Sequence, residues 1–329
     1  MLNNTSDRVL WKSADFNGTD WLNDFEARYP DTDPAYTDAT QLAEFAAWMV
    51  SVDPDKATGE ALETPVTIVD GEKSTTYATD NAAYRKAKFR AELSNFVELD
   101  SALFYYLFTE LFLMVDSRAK NMFPSFIGTQ IIKERRQMNK KIVFLPYDFD
   151  TAIGINNEGS LVFSYNLEDI DKTSGGADIF NGQQSVLWKN LREMFPEELR
   201  AMYQTLRSTG AISYDKIEAA FEAHQGKWPE AIFNEDAWFK YLAPLEEKGS
   251  AAYLAMLLGS KAEQRKWWLY NRFRYMDSKY NAGDSLTDVI TLRGYAKSDI
   301  TITPYADVYA TVKYGSYLVQ TRAERNKSY

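Results

Sequence analysis

The stretch from residue 96 to residue 150 constrains the fold more than any other part of the chain. It begins with an aromatic-rich run from Phe96 to Phe123, in which leucines recur at every fourth position. Residues four apart share one face of an α-helix, so this spacing predicts one long helix with a broad apolar surface. Glu98, Asp100 and Glu110 interrupt the run, and crossing a bilayer takes roughly 20 apolar residues. The sequence therefore predicts a buried helix in a globular domain and no membrane span.

Polar residues follow this helix in a pattern that suggests phosphate chemistry. Asp116 and Asn121 have the D-x-x-x-x-N spacing of a protein-kinase catalytic loop, in which the Asp orients and deprotonates the acceptor hydroxyl and the Asn holds a metal ion. A strand predicted from Ile142 to Tyr147 ends in Asp148 and Asp150, where kinases carry their metal-binding D-F-G. Carboxylate and amide oxygens are hard ligands that suit Mg²⁺.

This order of elements resembles the CotH family, which comprises spore-coat and related atypical kinases. The resemblance rests on the D-x-x-x-x-N loop and on a strand that ends in P-[WY]-D-x-D-x-x-x-G. The latter is matched by Pro146, Tyr147, Asp148, Asp150 and Gly154. It is strongest over about residues 95–155. It implies a protein-kinase-like fold and phosphotransfer from ATP with Mg²⁺.

The resemblance also implies roles for individual residues. Asp116 would be the base that orients the acceptor, and Arg118, two residues later, would offset the charge of the phosphate. Asn121 would hold magnesium together with Asp148 or Asp150. Which of the two aspartates is the ligand stays open, with Asp148 favoured because it is nearer the end of the strand. The residues that would bind ATP are not identified by the sequence.

The region before the match departs from a complete kinase. It contains no G-x-G-x-x-G loop and no V-A-I-K motif, both of which a working kinase uses to hold ATP. We expect residues 1–94 to be a partial N-terminal region of helices and loops without the true N-terminal lobe. The chain would then be a fragment of a longer protein, and it is either an active atypical protein kinase or inactive as this fragment.

One helix in this region carries an unusual number of basic residues. It is predicted from Ala82 to Leu93 with Asp80 as its cap, and its basic residues are Arg85, Lys86, Lys88 and Arg90. They are either phosphate ligands or a solvated basic face. The second interpretation is favoured, because solvated basic faces are common on helices.

The remaining chain completes the predicted fold class, which is α+β and mainly α. Residues 95–283 are expected to form a CotH-like helical domain, equivalent to the C-terminal lobe of a kinase with a small central sheet. Helices are predicted after Ser185, and one of them starts at Pro196 with two acids in its first turn. Residues 284–329 alternate β-branched and polar residues, which predicts a small antiparallel β module that is itself truncated.

Composition limits the partners of the chain and leaves a second function open. The net charge of −10 argues against a basic surface for nucleic acid, and the absence of cysteine excludes disulfides and thiolate metal sites. The expected partners are a protein substrate or the components of an assembly. The alternative to a phosphotransferase is a non-catalytic building block of a phage virion or tail, or of a bacterial surface, on the same scaffold. A virion or cell-surface location is therefore favoured.

Overall fold

A computed structural model of the chain describes its residues in separate stretches. They are residues 2–4, 25–27, 40–114, 117–118, 121–126, 129–132, 135–138, 141–148, 152–154, 165–168, 185–227, 261–282, 301–304, 309–314 and 317–322. The chain divides into two compact units. The first contains Met1–Ala152 and Glu168–Met202, and the second contains Ile153–Leu167 and Tyr203–Tyr329. The described elements are mainly helices with small antiparallel sheets, which confirms the predicted α+β class. The kinase-like character of the lobe and the domain boundaries stay predictions.

The described helices follow the predicted order along the chain. They are α1 (Thr40–Ser51), α2 (Ala82–Phe96), α3 (Leu99–Leu111), α4 (Val186–Met194), α5 (Pro196–Ser208), α6 (Tyr214–Gln225) and α7 (Lys261–Lys279). Helix α4 stops before Pro196, and Pro196 begins α5 with Glu197 and Glu198 in the first turn, as predicted. No helix in the described part is long and apolar enough to cross a membrane.

The described strands form small antiparallel sheets. They are β1 (Leu2–Asn4), β2 (Phe25–Ala27), β3 (Ala61–Asp70), β4 (Lys73–Thr79), β5 (Met122–Phe126), β6 (Thr129–Ile132), β7 (Arg135–Met138), β8 (Ile142–Pro146), β9 (Thr301–Pro304), β10 (Tyr309–Tyr314) and β11 (Tyr317–Arg322). The pairs are β1–β2, β3–β4, β5–β8 and β6–β7, and β10 lies between β9 and β11 in a three-stranded sheet. Strands β9 to β11 lie where the C-terminal β module was predicted.

The region before residue 95 contains the hairpin that its Asp70-Gly71 turn predicts, together with helices and loops. The hairpin β3–β4 turns at Gly71, whose φ of 61° is a left-handed value that glycine adopts without strain. The short pair β1–β2 was not predicted. Most side chains of the hairpin are exposed, and Asp70 at its turn forms an ion pair with Arg90 of α2 at 2.8 Å.

The helix predicted to begin at Phe96 and to run into the loop at Asp116 corresponds to α3, which is shorter at both ends. Val97 is extended and bridges to Ile142 of β8, which separates α2 from α3. Leu113 has φ 46°, and the amides of Leu113 and Met114 donate to the carbonyls of Glu110 and Thr109. These two bonds form a Schellman motif, which ends α3 with a left-handed residue. Strand β5, which begins at Met122, was not predicted.

The apolar faces of α3 also differ from the prediction. Leu103, Leu107 and Leu111 are buried, as their spacing indicates. The adjacent row of Phe104, Phe108 and Phe112 is not buried, and 44% of Phe104 is exposed. The second buried face instead carries Tyr105, Tyr106, Thr109 and Glu110. Helix α3 therefore buries polar groups that need partners inside the first unit.

An aromatic cluster joins α1 to α2 in the core of the first unit. The ring of Trp48 stacks on Phe96 at 4.6 Å and on Phe89 at 5.5 Å between centroids. Its indole Nε1 donates to a carboxylate oxygen of Glu92 at 2.8 Å. Aromatic pairs of this kind add about 0.5–1.5 kcal/mol each beyond the area that they bury. The cluster therefore fixes α1 against α2.

The basic residues of α2 are engaged within the protein. The N-cap is Asn81, whose side chain accepts from the Tyr84 amide, and not Asp80 as predicted. Asp80 instead pairs with Arg85, while Lys86 pairs with Glu193 and Lys88 donates to Ser51. Arg90 pairs with Glu198 and Asp70, and its guanidinium lies over the Phe195 ring. The sequence favoured a solvated basic face on α2. These residues instead form contacts that tie α2 to α4, α5 and the β3–β4 hairpin.

In the second unit, a buried ion pair joins α5 to α7. Arg207 donates from Nε and Nη2 to the two carboxylate oxygens of Asp277, both at 2.8 Å, and Tyr203 donates to the same carboxylate at 2.8 Å. Arg265 of α7 pairs with Glu218 of α6 at 2.8 Å. Arg265 of α7 is therefore paired within the second unit.

Candidate functional site

The antiparallel pairing of β5 with β8 brings two of the predicted site residues to the same end of a sheet. Met122, the first residue of β5, lies opposite Pro146, the last residue of β8. Asn121 immediately precedes β5, and Asp148 follows β8 by two residues. The Tyr147 amide donates to the Asn121 carbonyl at 3.0 Å, which extends the pairing beyond the strands. Residues that are 27 positions apart in the sequence (148 − 121) thus meet at one edge.

Both of these residues have left-handed backbone conformations. The φ angle is 53° at Asn121 and 57° at Asp148. Asn and Asp adopt such values more readily than other side chains, because their short polar groups can bond to the local backbone. Backbone strain of this kind gathers at functional sites, and an observed outlier supports a functional hypothesis.

The accessible surface here combines a carboxylate with an aromatic ring. Asp148 is exposed, Asn121 is half-buried, and 47% of Tyr147 is exposed. The Tyr147 ring lies 4.9 Å from that of Phe123, which is itself nearly buried. An exposed carboxylate beside a half-buried amide offers the hard oxygen donors that Mg²⁺ prefers. The chemistry of this donor pair fits the implied metal.

Two of the predicted site residues lie outside the described residues, namely Asp116 and Asp150. Their positions relative to Asn121 and Asp148 therefore stay predictions. Within the described stretches, no group of three or more His, Asp or Glu side chains is placed to hold a metal ion. Of the three predicted carboxylates, only Asp148 belongs to those stretches.

Arg118 lies in the loop that follows α3. Its side chain is fully buried. The guanidinium donates from Nε to the Thr109 hydroxyl and from Nη2 to the Tyr106 carbonyl, each at 2.9 Å, and it lies 4.0 Å from the centre of the Tyr106 ring. These contacts direct the positive charge toward the C-terminal turns of α3. Direct contact between Arg118 and a phosphate stays a prediction.

Sequence reasoning missed three residues that contact the loop after α3. The Tyr105 hydroxyl donates to the Ser117 carbonyl, and the Trp188 indole donates to the Arg118 carbonyl at 2.9 Å. The Thr109 hydroxyl accepts a hydrogen bond from Nε of Arg118. The pattern placed Trp188 only on the apolar face of a helix. The one available signal was chemical, because a buried Tyr hydroxyl or Trp N–H usually needs a hydrogen-bond partner.

Strand β8, which leads to Asp148, also forms hydrogen bonds along the edge that does not pair with β5. The Glu98 amide donates to the Ile142 carbonyl at 2.9 Å, and the Phe144 amide donates to the Ser101 hydroxyl at 3.1 Å. Strand β8 is therefore covered by β5 on one side and by the start of α3 on the other. This arrangement fixes β8, and with it the position from which Asp148 leaves the sheet.

Comparison with known protein families gives one match. The profile of the CotH kinase protein family matches residues 40–226, which is more than half of the 329-residue chain and contains every predicted site residue. No curated protein and no solved structure matches the chain. The family match confirms the resemblance seen in the sequence. This chain therefore belongs to the CotH kinase protein family.

Proposed function

We propose that the chain is a kinase-type phosphotransferase that moves the γ-phosphoryl group of ATP to a hydroxyl of a protein substrate. Asp116 is the acceptor-orienting base, and Asn121 with Asp148 or Asp150 holds Mg²⁺. The single observation that carries this proposal is the β5–β8 pairing, which puts Asn121 and Asp148 at the same end of one sheet. The match to the CotH kinase protein family over residues 40–226 supports it.

The chemistry asks for positioning more than for reactive groups. In phosphoryl transfer, the acceptor oxygen attacks the γ-phosphorus as the bond to the β-phosphate oxygen breaks, and ADP leaves. Asp116 would accept the proton of the acceptor hydroxyl. When bound, Mg²⁺ would offset the charge of the phosphate oxygens. The exposed Asp148 carboxylate and the Asn121 amide are held by strands on a packed sheet, which suits a task that requires fixed geometry.

Arg118 takes an indirect part in this proposal. Its guanidinium is fully buried and bonds to Thr109 and Tyr106. Its positive charge still lies behind the loop that carries Asp116 and Asn121. Because charges interact over several ångströms in a poorly solvated interior, this charge would offset part of the charge of a phosphate bound at that loop.

The test combines ligand binding with phosphotransfer. A ligand present at 100 times its dissociation constant adds about 2.7 kcal/mol to the free energy of unfolding, which shifts a melting curve by several degrees. We expect Mg-ATP to raise the melting temperature, and ATP without Mg²⁺ to raise it less. Transfer of labelled phosphate to a generic protein substrate should accompany this shift. The variant Asp148→Asn should lose the Mg²⁺-dependent part of the shift and lower phosphotransfer by about 100-fold.

Asp100→Asn is the matched control. Asp100 is also an exposed aspartate, in the first turn of α3, close to the Ile142 end of β8 and thus at the opposite end of the sheet. It should keep both the shift and the activity. If Mg-ATP produces no shift in the wild type, the proposal is refuted, and the non-catalytic building block becomes the better hypothesis. Equal losses in Asp148→Asn and Asp100→Asn would refute the assigned site.

A further inference from the structure

Two aromatic side chains hold consecutive carbonyls of the loop that follows α3. The Tyr105 hydroxyl, from α3, donates to the carbonyl of Ser117. The Trp188 indole Nε1, from α4, donates to the carbonyl of Arg118 at 2.9 Å. All four residues are almost fully buried, with at most 2% of any of them exposed. If one of these buried carbonyls lost its donor, no water would replace it, and the unpaired oxygen would destabilise the fold. These two bonds therefore strongly restrict the loop backbone.

The side chain of Arg118 fastens the same segment from within. Its Nε bonds to Thr109, its Nη2 bonds to the Tyr106 carbonyl, and its guanidinium stacks over the Tyr106 ring. Residues 117 and 118 are thus bonded to α3 through Tyr105, Tyr106 and Thr109, and to α4 through Trp188. Asp116 is the preceding residue, and Asn121 follows three positions after Arg118.

The same aromatic groups also contact the strand that ends at the other half of the site. Tyr105 stacks on Trp188 with 5.5 Å between centroids and 18° between planes. The ring of Phe144, in β8, lies 5.9 Å from Tyr105 and 5.1 Å from Trp188. One cluster of three rings therefore touches both the loop and β8. A shift of either donor would move the loop relative to the strand.

We infer that Tyr105 and Trp188 are positioning residues that set the loop carrying Asp116 and Asn121 at a fixed distance from Asp148. The restriction of the loop follows from the contacts alone, whereas its importance for catalysis rests on the proposed function. Burial raises the pKa of Tyr105 well above its usual value, so its hydroxyl stays protonated and remains a donor. Neither residue needs to touch substrate.

The experiment removes one donor at a time. Tyr105→Phe deletes only the hydroxyl, and Trp188→Phe deletes the indole N–H while keeping an aromatic ring. Hydrogen exchange, read by mass spectrometry on the peptide that spans residues 112–121, should become roughly fivefold to tenfold faster in each variant. If the wild type transfers phosphate, kcat should fall by about tenfold or more in both variants, with a smaller change in KM.

The controls make the same chemical changes in the second unit. Tyr203→Phe removes a buried hydroxyl that donates to Asp277 at 2.8 Å. Trp268→Phe replaces a buried Trp whose Nε1 has no hydrogen-bond partner among the residues that the structure describes. Both should leave exchange in the 112–121 peptide unchanged, even where the melting temperature falls.

The outcomes separate this inference from the proposed function. Wild-type exchange in the 112–121 peptide of Tyr105→Phe would overturn the inference, and so would equal acceleration in the controls. If Trp188→Phe does not fold, Tyr105→Phe decides alone, because it removes a single oxygen atom. A wild type without phosphotransfer would refute the proposed function, while the exchange rates would still decide whether these two residues hold the loop.

Discussion

The ion pair between Asp80 and Arg85 gives a quantitative test of how α2 is held in the first unit. Arg85 donates from Nε and Nη2 to the two carboxylate oxygens, each at 2.6 Å, and the Thr58 amide and hydroxyl donate to the same carboxylate. The hydrogen bonds from Arg85, followed by those from Thr58, outweigh desolvation and lower the pKa of Asp80 from 3.8 to about 2. Replacing the carboxyl by an amide, as in Asp80→Asn, removes this titration.

The sign and size of the effect follow from linkage. Because the folded protein binds the Asp80 proton more weakly than the unfolded chain does, ionisation stabilises the fold above about pH 4, and this contribution is lost as the pH falls toward about 2. At 1.36 kcal/mol per pKa unit, a fall from 3.8 to about 2 corresponds to roughly 2.4 kcal/mol. The side chains of Arg85 and Asp80 are 11% and 15% exposed, so water screens part of this, and about 1–2 kcal/mol remains.

The assay is urea unfolding of wild type and Asp80→Asn at a series of pH values from about 5 down to about 2. The difference in the free energy of unfolding between the two proteins should shrink by about 1–2 kcal/mol over this range. Arg85 also donates to the carbonyls of Val50 and Asp53, each at 3.1 Å, so Arg85→Gln alone removes more than the ion pair. A double-mutant cycle of the two substitutions isolates the pair.

Two outcomes would contradict this reasoning. Parallel curves for wild type and Asp80→Asn over the whole range would show that the pKa of Asp80 is not lowered in the folded protein. A wild-type pH dependence that persists in Arg85→Gln would show that Arg85 is not the cause of the lowered pKa. In either case, α2 would be held by its aromatic contacts with Trp48 and not by this pair.

Two further predictions concern the packing of each unit. Arg207→Met should lower the free energy of unfolding of the second unit by about 3–5 kcal/mol, because it leaves the buried carboxylate of Asp277 without this cation. The double variant Arg207→Met with Asp277→Leu should recover much of the loss in denaturant unfolding, and no recovery would contradict the buried-charge explanation. On α3, Leu103→Ala should cost about 2–5 kcal/mol while Phe104→Ala costs less than about 1 kcal/mol, because only the leucine is buried. Equal costs for these neighbours would show that the phenylalanine row packs inward.

Elements with local signals were predictable from the sequence. Pro196 separates α4 from α5, and Gly71 sets the turn of the β3–β4 hairpin. The α+β class and the CotH resemblance were accessible for the same reason, since they rest on residue order and spacing. The candidate site was predictable as a list of residue types. Of its geometry, the common location of Asn121 and Asp148 was expected only from the CotH resemblance, because strand β5 was not predicted.

Other features depended on contacts that spacing does not encode. Helix α3 ends at a left-handed Leu113, whereas glycine or asparagine is the usual signal, so the sequence predicted that the helix would continue. The side chain of Arg118 turns toward Thr109 and Tyr106, although its position beside Asp116 suggested a phosphate ligand. Trp188 reaches the loop from 70 positions away. No local pattern predicts such a partner.

The β5–β8 pairing also shows why the two halves of the site tolerate a long connection. Residues 127–141 link these strands, and closing a flexible loop of that length costs on the order of 2–3 kcal/mol. Part of this cost is offset because β6 and β7 form their own hairpin within the connection. The meeting of Asn121 with Asp148 is instead fixed by the ladder from Met122–Pro146 to Phe126–Ile142 and by the packing of Phe144 against Tyr105 and Trp188. We therefore expect that this connection can vary in sequence without moving the site, whereas Tyr105, Phe144 and Trp188 cannot be replaced without moving it.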